Sequence, residues 1–227
     1  MQKGHAAAAD ELRRQLRVYL VMSLDGYAGR SAVEIARAAI EGGATMIQLR
    51  EKDKPLRDVL PEGRQLRELC RRMSIPFIVN DRVDVALLLD ADGVHVGQDD
   101  LPGVEVRKLI GPDRIVGISA GDAEEARWAL EQGADYLGVG PVYSTATKLD
   151  AGEAIGLALI EELAQTSGIP MVGIGGIHAG NVAGVVTAGA DGAAVVSAIT
   201  RTADPAGAAA GLRTLVDQAS RERTAGR

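Results

Sequence analysis

Two cations and an amide follow a short apolar run near the first quarter of the chain, in Gln48-Leu49-Arg50-Glu51-Lys52. In the alternating pattern of a strand, Gln48 and Arg50 share one face. A buried arginine without a partner is unfavourable, so this face predicts either a bound anion or an internal ion pair with Glu51 or another carboxylate. Lys52 favours the anion, because lysine is rare in this chain.

Carboxylates follow the next two apolar runs, at Asp81 and at Asp99-Asp100. Carboxylates together with phosphate oxygens and water are the usual ligands of Mg²⁺, so we expect a magnesium site if these residues meet. Two simpler interpretations stay open. Asp81 is also a good helix N-cap, and the Asp99-Asp100 pair also suits a solvated loop.

Phosphate is the ligand indicated by two later segments. Residues 138–148 form a long loop with hydroxyls and an ammonium group, and such loops are commonly functional. Lys148 in this loop could act as a Schiff-base nucleophile, but its threonine neighbours favour a phosphate clamp. Glycines at 173–176 and the Val196-Ser197 pair follow later strands, where backbone N–H groups bind phosphate in (β/α)₈ barrels.

Other reactive residue types give weaker signals. His95 alternates with valines, which favours a hydrogen-bonded core histidine over a general base. Cys70 is the only cysteine and lies among leucines, so we expect a structural thiol. No Ser-His-Asp arrangement can be assembled from the sequence.

The elements that must position these groups are eight alternating strand and helix patterns. Their alternation predicts a parallel sheet, and eight units in 227 residues predict a single-domain α/β protein with the (β/α)₈ TIM-barrel fold. The alternative is an open doubly wound sheet. Such a sheet is expected to have a phosphate-binding G-x-G-x-x-G loop after its first strand, and residues 23–30 lack this pattern. We assign residues 1–16 to an N-terminal extension, 17–219 to the barrel and 220–227 to a flexible C-terminal tail.

A weak internal repeat supports this fold. Four helix-to-strand junctions have the pattern Gly-Ala-Asp or a variant of it, beginning at Gly43, Asp90, Gly133 and Gly189. Glycine permits a left-handed helix stop, and Asp or Thr turns the chain into the following strand. We interpret the repeat as a fold signature without chemistry.

Composition excludes several classes of protein. The net charge of −6 offers no basic field for nucleic acid, and no apolar run is long enough to span a membrane. No signal peptide is evident, so we expect a cytoplasmic protein without nucleic-acid or membrane partners. The sequence leaves open whether the chain forms a homo-oligomer.

Six ordered motifs between residues 17 and 216 resemble the thiamine-phosphate synthase family. They are QLREK (48–52), VND (79–81), GVHVGQDD (93–100), GPVYSTATK (140–148), GIGGI (173–177) and ADGAAVVSAI (190–199). The family has the (β/α)₈ fold that the alternation also predicts. One departure is Ser144, where many members have proline.

The resemblance implies a transferase of thiamine biosynthesis that acts on small phosphorylated substrates. It would join 4-amino-2-methyl-5-(diphosphooxymethyl)pyrimidine to 4-methyl-5-(2-phosphoethyl)thiazole, or its carboxylated form, and release pyrophosphate with Mg²⁺ as cofactor. The pyrimidine diphosphate would be held by Gln48, Arg50, Lys52, Asn80, Ser119 and Lys148, of which Arg50, Lys52, Ser119 and Lys148 would assist catalysis. Asp81 and Asp100 would hold Mg²⁺. The thiazole phosphate would be bound by Thr145, Thr147, Gly176, Val196 and Ser197.

Two alternative functions share this fold. A thiazole tautomerase would bind only the thiazole phosphate and would lack the pyrimidine diphosphate and metal residues. A non-catalytic barrel that senses a phosphorylated metabolite would have little use for two metal-binding carboxylates opposite three cations.

Overall fold

Eight short parallel strands close into a barrel, in which each strand pairs with the next and the last pairs with the first. The computed structural model describes residues 2–52, 54–145 and 152–226. The strands are β1 (Val18–Met22), β2 (Met46–Leu49), β3 (Phe77–Asn80), β4 (Gly93–Val96), β5 (Ile115–Ala120), β6 (Tyr136–Val139), β7 (Met171–Ile174) and β8 (Gly192–Val195).

Helices surround the barrel and alternate with the strands. Within the described ranges they are α1 (Gln2–Gln15), α2 (Ala32–Glu41), α3 (Leu56–Arg72), α4 (Val83–Leu88), α5 (Gly103–Ile110), α6 (Ala123–Glu131), α7 (Ala158–Thr166), α8 (Val182–Ala188), α9 (Ser197–Thr200) and α10 (Pro205–Ala225). The predicted (β/α)₈ fold is confirmed, and the open doubly wound sheet is wrong. In the part of the chain that the structure describes, no helix is long and apolar enough to cross a membrane.

Alternating strand residues build two separate apolar cores. One side of each strand packs against the helices, in a large cluster rich in Val, Leu, Ile and Ala. The other side fills the barrel interior with a smaller cluster that includes Tyr19, Met46, Ile78, Tyr136 and Val172. The strand direction therefore brings all eight carboxyl ends to one mouth, above a filled interior.

The internal repeat fixes the opposite end of the barrel. Its first position has a positive φ in all four copies, and Asp90 adopts this conformation with φ 50° in place of glycine. The side chain at the third position accepts a hydrogen bond from a backbone N–H at the start of the preceding strand, as Asp92 does from Phe77 N at 2.8 Å. The equivalent acceptors are Thr45, Asp135 and Asp191, toward Val18, Val116 and Met171. The repeat thus holds every second strand in register, which confirms its interpretation as a fold signature.

Two helix starts follow the sequence pattern. Ser31 and Glu34 form a reciprocal capping box before α2, and Asp122 accepts a hydrogen bond from Glu125 N at 2.8 Å before α6. Such caps satisfy N–H groups that have no intrahelical partner.

The two ends of the chain are helical. Leu12 of α1 and Leu16, which follows this helix, are buried in the interior cluster together with Tyr19. Helix α10 continues to Ala225, into the stretch 220–227 where we expected a flexible tail. Arg223 explains the difference, because it donates hydrogen bonds to the carbonyl oxygens of Val186 and Ala190 at 2.8 and 2.9 Å.

The interior has room for its largest side chains because glycines face them. A Cβ on Gly117 of β5 would overlap the ring of Tyr136, and a Cβ on Gly138 of β6 would lie 2.8 Å from His95 Cε1. These glycines therefore position the aromatic groups of the interior.

We expect Gly117→Ala to lower the free energy of unfolding by about 1–3 kcal/mol, because the added methyl group must displace the Tyr136 ring. Gly211→Ala is the matched control, since nothing lies near an added Cβ at this exposed site in α10. The control should raise stability by about 0.5–1 kcal/mol through helix propensity. Urea unfolding measures both, and an unchanged midpoint for Gly117→Ala would contradict the packing described for Tyr136.

Candidate active site

Strand β2 brings an amide and a guanidinium group to the barrel mouth. Gln48 is 4% exposed and donates a hydrogen bond from Nε2 to the Tyr19 hydroxyl at 2.7 Å. Arg50 follows the strand and is half-buried, with its backbone held by Met22 O at 2.8 Å. Within the described residues Arg50 forms no ion pair, and the Glu51 carboxylate instead accepts from Leu24 N. The internal Arg50–Glu51 pair is therefore absent there, which leaves the guanidinium available to an anion.

Asp81 follows β3 and faces the cations of β2. Its carboxylate lies 3.7 Å from Lys52 Nζ, and its backbone adopts a left-handed conformation with φ 59° while its N–H donates to His95 O. The helix-cap interpretation of Asp81 is wrong, because Arg82 occupies the N-cap of α4 and no side chain caps that helix. The left-handed turn instead directs Asp81 into the mouth.

Asp100 approaches Asp81 from the loop after β4. Its Oδ2 accepts a hydrogen bond from Gly97 N at 2.8 Å, whereas the adjacent Asp99 is exposed. Burial, a hydrogen bond with Asp100 and the Asp100 charge raise the pKa of Asp81 to about 6, against the opposing charges of Lys52 and Arg50. The two carboxylates repel each other when both are charged, and a divalent cation bound between them would relieve this repulsion.

A chain of hydrogen bonds runs through the barrel interior beneath these groups. Its members, in order, are Gln48, Tyr19, Tyr136, His95 and Ser119. The two phenol oxygens are 2.9 Å apart, Tyr136 lies 2.9 Å from His95 Nδ1, and His95 Nε2 lies 3.0 Å from Ser119 Oγ. The interpretation of His95 as a hydrogen-bonded core histidine is confirmed. The chain joins one side of the mouth, at β2, to another, at β5.

Sequence reasoning missed the two tyrosines of this chain. Tyr19 and Tyr136 are each no more than 1% exposed. The signal was present, because each is a polar-tipped residue inside an otherwise aliphatic strand, and a buried phenol needs a hydrogen-bond partner.

The glycines after β7 pack against the loop after β6. Gly175 and Gly176 have φ angles of 97° and 63°, and a Cβ on Gly176 would lie 2.6 Å from Ser144 O. Tyr143 N donates to Gly175 O at 3.1 Å. These contacts hold the first part of the β6 loop beside the β7 turn, so two candidate phosphate segments meet.

The remaining predicted residues divide between the mouth and an undescribed stretch. Asn80 ends β3 beside His95 of β4, and Ser197, exposed at the start of α9, follows the half-buried Val196. The first N–H groups of a helix have no intrahelical acceptor, so α9 presents donors there. Thr145 is half-buried at the edge of the described loop. Thr147 and Lys148 lie outside the described residues, so their predicted roles stay predictions.

A family profile, curated sequences and a solved structure that resemble this chain all indicate the same family. The sequence profile of the family described as thiamine monophosphate synthase matches residues 18–199. A thiamine-phosphate synthase of Moorella thermoacetica is 50% identical over 205 residues, which cover 90% of this chain and 98% of the relative. One of Chloroflexus aurantiacus is 51% identical over 200 residues, covering 88% and 92%. A solved thiamine phosphate pyrophosphorylase of Pyrococcus furiosus superposes with a TM-score of 0.83 at 41% identity, covering 92% of this chain and 98% of that one.

The raised pKa of Asp81 predicts that its ionised carboxylate, which would bind a metal ion, lowers the stability of the fold when no divalent ion is present. The folded protein keeps the Asp81 proton up to about pH 6, whereas the unfolded chain releases it near the ordinary value of 3.8. Stability therefore falls as the pH rises through this window, and above it the charged pair destabilises the metal-free fold. Asp81→Asn cannot ionise, and asparagine tolerates the left-handed backbone. At pH 7.5 without divalent ions, we expect it to gain about 1 kcal/mol after allowance for solvent screening, or roughly 2–4 °C in Tm.

The gain should shrink as the pH is lowered toward 4, and calorimetry across this range measures it. Asp99→Asn is the matched control, because the Asp99 side chain is exposed, and it should leave Tm unchanged. A lower Tm for Asp81→Asn at pH 7.5 would show that the carboxylates do not repel each other.

Proposed function

This chain belongs to the thiamine monophosphate synthase family, and we propose that its barrel mouth couples an aminopyrimidine methyl diphosphate to a thiazole phosphate and releases pyrophosphate. The substrates are those named above, 4-amino-2-methyl-5-(diphosphooxymethyl)pyrimidine and 4-methyl-5-(2-phosphoethyl)thiazole or its carboxylated form. The printed names of relatives at about 50% identity support the assignment to this transferase activity.

The observation that carries the proposal is the meeting of opposite charges at neighbouring strand ends. Lys52 and Arg50 face Asp81, and Asp81 faces Asp100. Cations beside a carboxylate pair suit a diphosphate that arrives with a divalent metal ion, because each charge then has a partner.

Asp81 and Asp100 are the residues that would hold Mg²⁺. They fit this ion because both are hard oxygen ligands and because their mutual repulsion in the metal-free site needs a counter-charge. Two carboxylates are a common protein contribution to a Mg²⁺ site that also takes phosphate oxygens and water. When bound, the ion would neutralise charge that develops on the leaving diphosphate.

The protein groups proposed for the diphosphate act on the same charge. Arg50 offers a planar set of donors that matches phosphate oxygens, and Lys52 supplies a compact charge. Ser119 lies near the end of β5, three strands along the barrel from β2. Asn80 would contribute a neutral polar contact beside them, and Lys148 would complete the set.

The reaction needs only one bond broken and one formed. The methylene carbon–oxygen bond breaks with its electron pair leaving on the diphosphate, while the amino group donates electron density through the pyrimidine ring to the carbon. The thiazole nitrogen then supplies its lone pair to form the new carbon–nitrogen bond. No protein nucleophile is required, so the residues act by positioning, charge neutralisation and exclusion of water.

The thiazole phosphate is assigned to the opposite side of the mouth. The proposed ligands are Thr145, Thr147, Gly176, Val196 and Ser197. The contact between the β6 loop and the Gly175–Gly176 turn supports this grouping, as does the start of α9 after β8, where backbone donors commonly bind phosphate in these barrels.

The two alternative functions are not favoured. A thiazole tautomerase has no use for the paired carboxylates and cations beside β2 and β3. A non-catalytic metabolite-binding barrel is not favoured either, because relatives whose alignments cover about nine-tenths of this chain are named as thiamine-phosphate synthases.

Pyrophosphate release tests the function directly. With Mg²⁺ and both substrates, the purified protein should release one pyrophosphate for each thiamine phosphate formed. Chelation by EDTA should abolish release, and added Mg²⁺ should restore it. Absence of release under these conditions would refute the synthase assignment, and full activity in EDTA would refute the metal site alone.

Arg50→Gln tests the diphosphate site. We expect kcat/KM for the pyrimidine diphosphate to fall about 10²–10³-fold, in the range found when one transition-state donor is removed. Arg57→Gln is the control, because the Arg57 side chain is 85% exposed. Steady-state kinetics on both variants decides the point, and equal values for Arg50→Gln and the wild type would exclude Arg50 from the site.

A further inference from the structure

We infer that Tyr19, Tyr136 and His95 are positioning residues of a directional hydrogen-bond chain, which makes Ser119 a donor and Gln48 Oε1 an acceptor at the mouth. The chain would thereby couple recognition of an anion at β5 to recognition of an amine at β2. The inference rests on the proposed function, because it takes its two ligand groups from the pyrimidine diphosphate.

The direction follows from the orientation of the Gln48 amide. Gln48 Nε2 donates to the Tyr19 oxygen, so the single Tyr19 proton is directed to Tyr136. The single Tyr136 proton is then directed to His95 Nδ1. Each tyrosine hydroxyl has only one proton to donate. If Tyr136 donated to Tyr19 instead, the Tyr19 proton would point toward Gln48 Nε2, which is itself a donor.

The histidine tautomer follows in the same way. A neutral ring that accepts at Nδ1 carries its proton on Nε2 and donates to Ser119 Oγ, 3.0 Å away. The Ser119 proton is then left to donate toward the mouth. A cationic His95 would donate at both nitrogens, which would force the Tyr19 proton toward the Gln48 Nε2 donor.

The interior is shaped to hold this chain. Burial raises the pKa of both phenols well above the ordinary range, so they keep the protons that the direction requires. The glycines at 117 and 138 leave the space that the Tyr136 and His95 rings occupy. The rings of Tyr136 and His95 lie 5.4 Å apart, and those of the two tyrosines lie 6.1 Å apart. Packing therefore fixes the tyrosine and histidine rings whose polar atoms form the hydrogen-bond chain.

At β2 the hydrogen-bond chain ends at Gln48, whose Oε1 faces the solvent. Gln48 Oε1 makes no hydrogen bond within residues 2–52, 54–145 and 152–226. No fully buried side-chain oxygen in the same ranges lacks a partner, so Oε1 reaches the solvent-accessible mouth. It is therefore available to accept from a ligand.

This arrangement selects one class of ligand. A diphosphate oxygen can only accept, so it binds Ser119 as a donor and stabilises the direction that the structure has. Gln48 then presents a carbonyl oxygen, which accepts from an exocyclic amine and repels a ring carbonyl in the same position. The chain thus favours an aminopyrimidine over its 4-oxo analogue whenever a diphosphate occupies the mouth.

Histidine NMR tests the direction without any turnover. The chain has three histidines, and protein labelled with ¹⁵N-histidine allows His95 to be assigned from the signal lost in His95→Gln. With Mg²⁺ and inorganic pyrophosphate, we expect His95 to be the neutral tautomer with its proton on Nε2. A cationic ring or a proton on Nδ1 would overturn the inference.

Tyr136→Phe tests the coupling, because it removes the central hydroxyl and keeps the ring. Dissociation constants are measured for the 4-amino and 4-oxo pyrimidine diphosphates with Mg²⁺ and without thiazole phosphate, so that no coupling reaction occurs. We expect the preference for the amine to fall about tenfold, or about 1.4 kcal/mol, since the Gln48 amide can then reverse. Tyr143→Phe is the matched control, because its hydroxyl lies beside Gly184 of α8, outside the barrel.

The outcomes separate the inference from the proposed function. An unchanged preference in Tyr136→Phe, in a protein whose wild type releases pyrophosphate, refutes the chain and leaves the function intact. An equal loss of preference in Tyr143→Phe also refutes it, because a general loosening would then explain the result. Wild-type protein that releases no pyrophosphate refutes the function, while the His95 tautomer remains a separate result.

Discussion

The fixed volume inside an eight-stranded barrel is the constraint on which the rest of this structure depends. Eight strands leave an interior that side chains must fill, and large groups enter only where facing positions are small. Gly117 and Gly138 provide that space for Tyr136 and His95. The floor of the mouth, formed by Tyr19, Tyr136 and His95, is therefore both polar and rigid, because the side chains that form its hydrogen bonds also fill the barrel interior. A substitution in this floor changes both properties together.

Local charge at the mouth is independent of the charge of the whole chain. The protein has a net charge of −6, yet Arg50 and Lys52 form a cationic edge facing Asp81. The edge arises because successive parallel strands deliver their carboxyl ends to the same rim. The ion pair with Asp81 orients Lys52 at the rim, and a metal ion held by Asp81 would leave Lys52 free to bind phosphate. The net charge of the whole chain therefore does not describe the local charge of the rim.

The sequence predicted those features that depend on local pattern. The alternation of elements and the internal repeat were both interpreted correctly, because each depends on neighbours in the chain. Asp81 was ambiguous, because a cap and a ligand can have the same sequence, and only the left-handed backbone separates them. Tyr19 and Tyr136 are 117 residues apart, and nothing local indicates that their hydroxyls meet. Residues 220–227 were expected to form a flexible tail, but α10 continues to Ala225, where Arg223 is anchored by distant carbonyl groups. The assignments of site residues to particular ligands remain predictions, since they depend on groups that the chain alone does not contain.

The arrangement explains why this chain can do substitution chemistry without a nucleophile. Cys70 is buried behind the strands, and burial raises the pKa of its thiol to about 12, which confirms its structural role. The ring nitrogens of His95 lie within hydrogen-bond distance of Tyr136 and Ser119. A reaction in which the bond to diphosphate breaks first makes no demand on either residue. It demands that the departing charge be neutralised and that the ring keep its amino group oriented for electron donation. In the reaction that we propose, the cationic edge would meet the first demand and the hydrogen-bonded residues of the interior would meet the second.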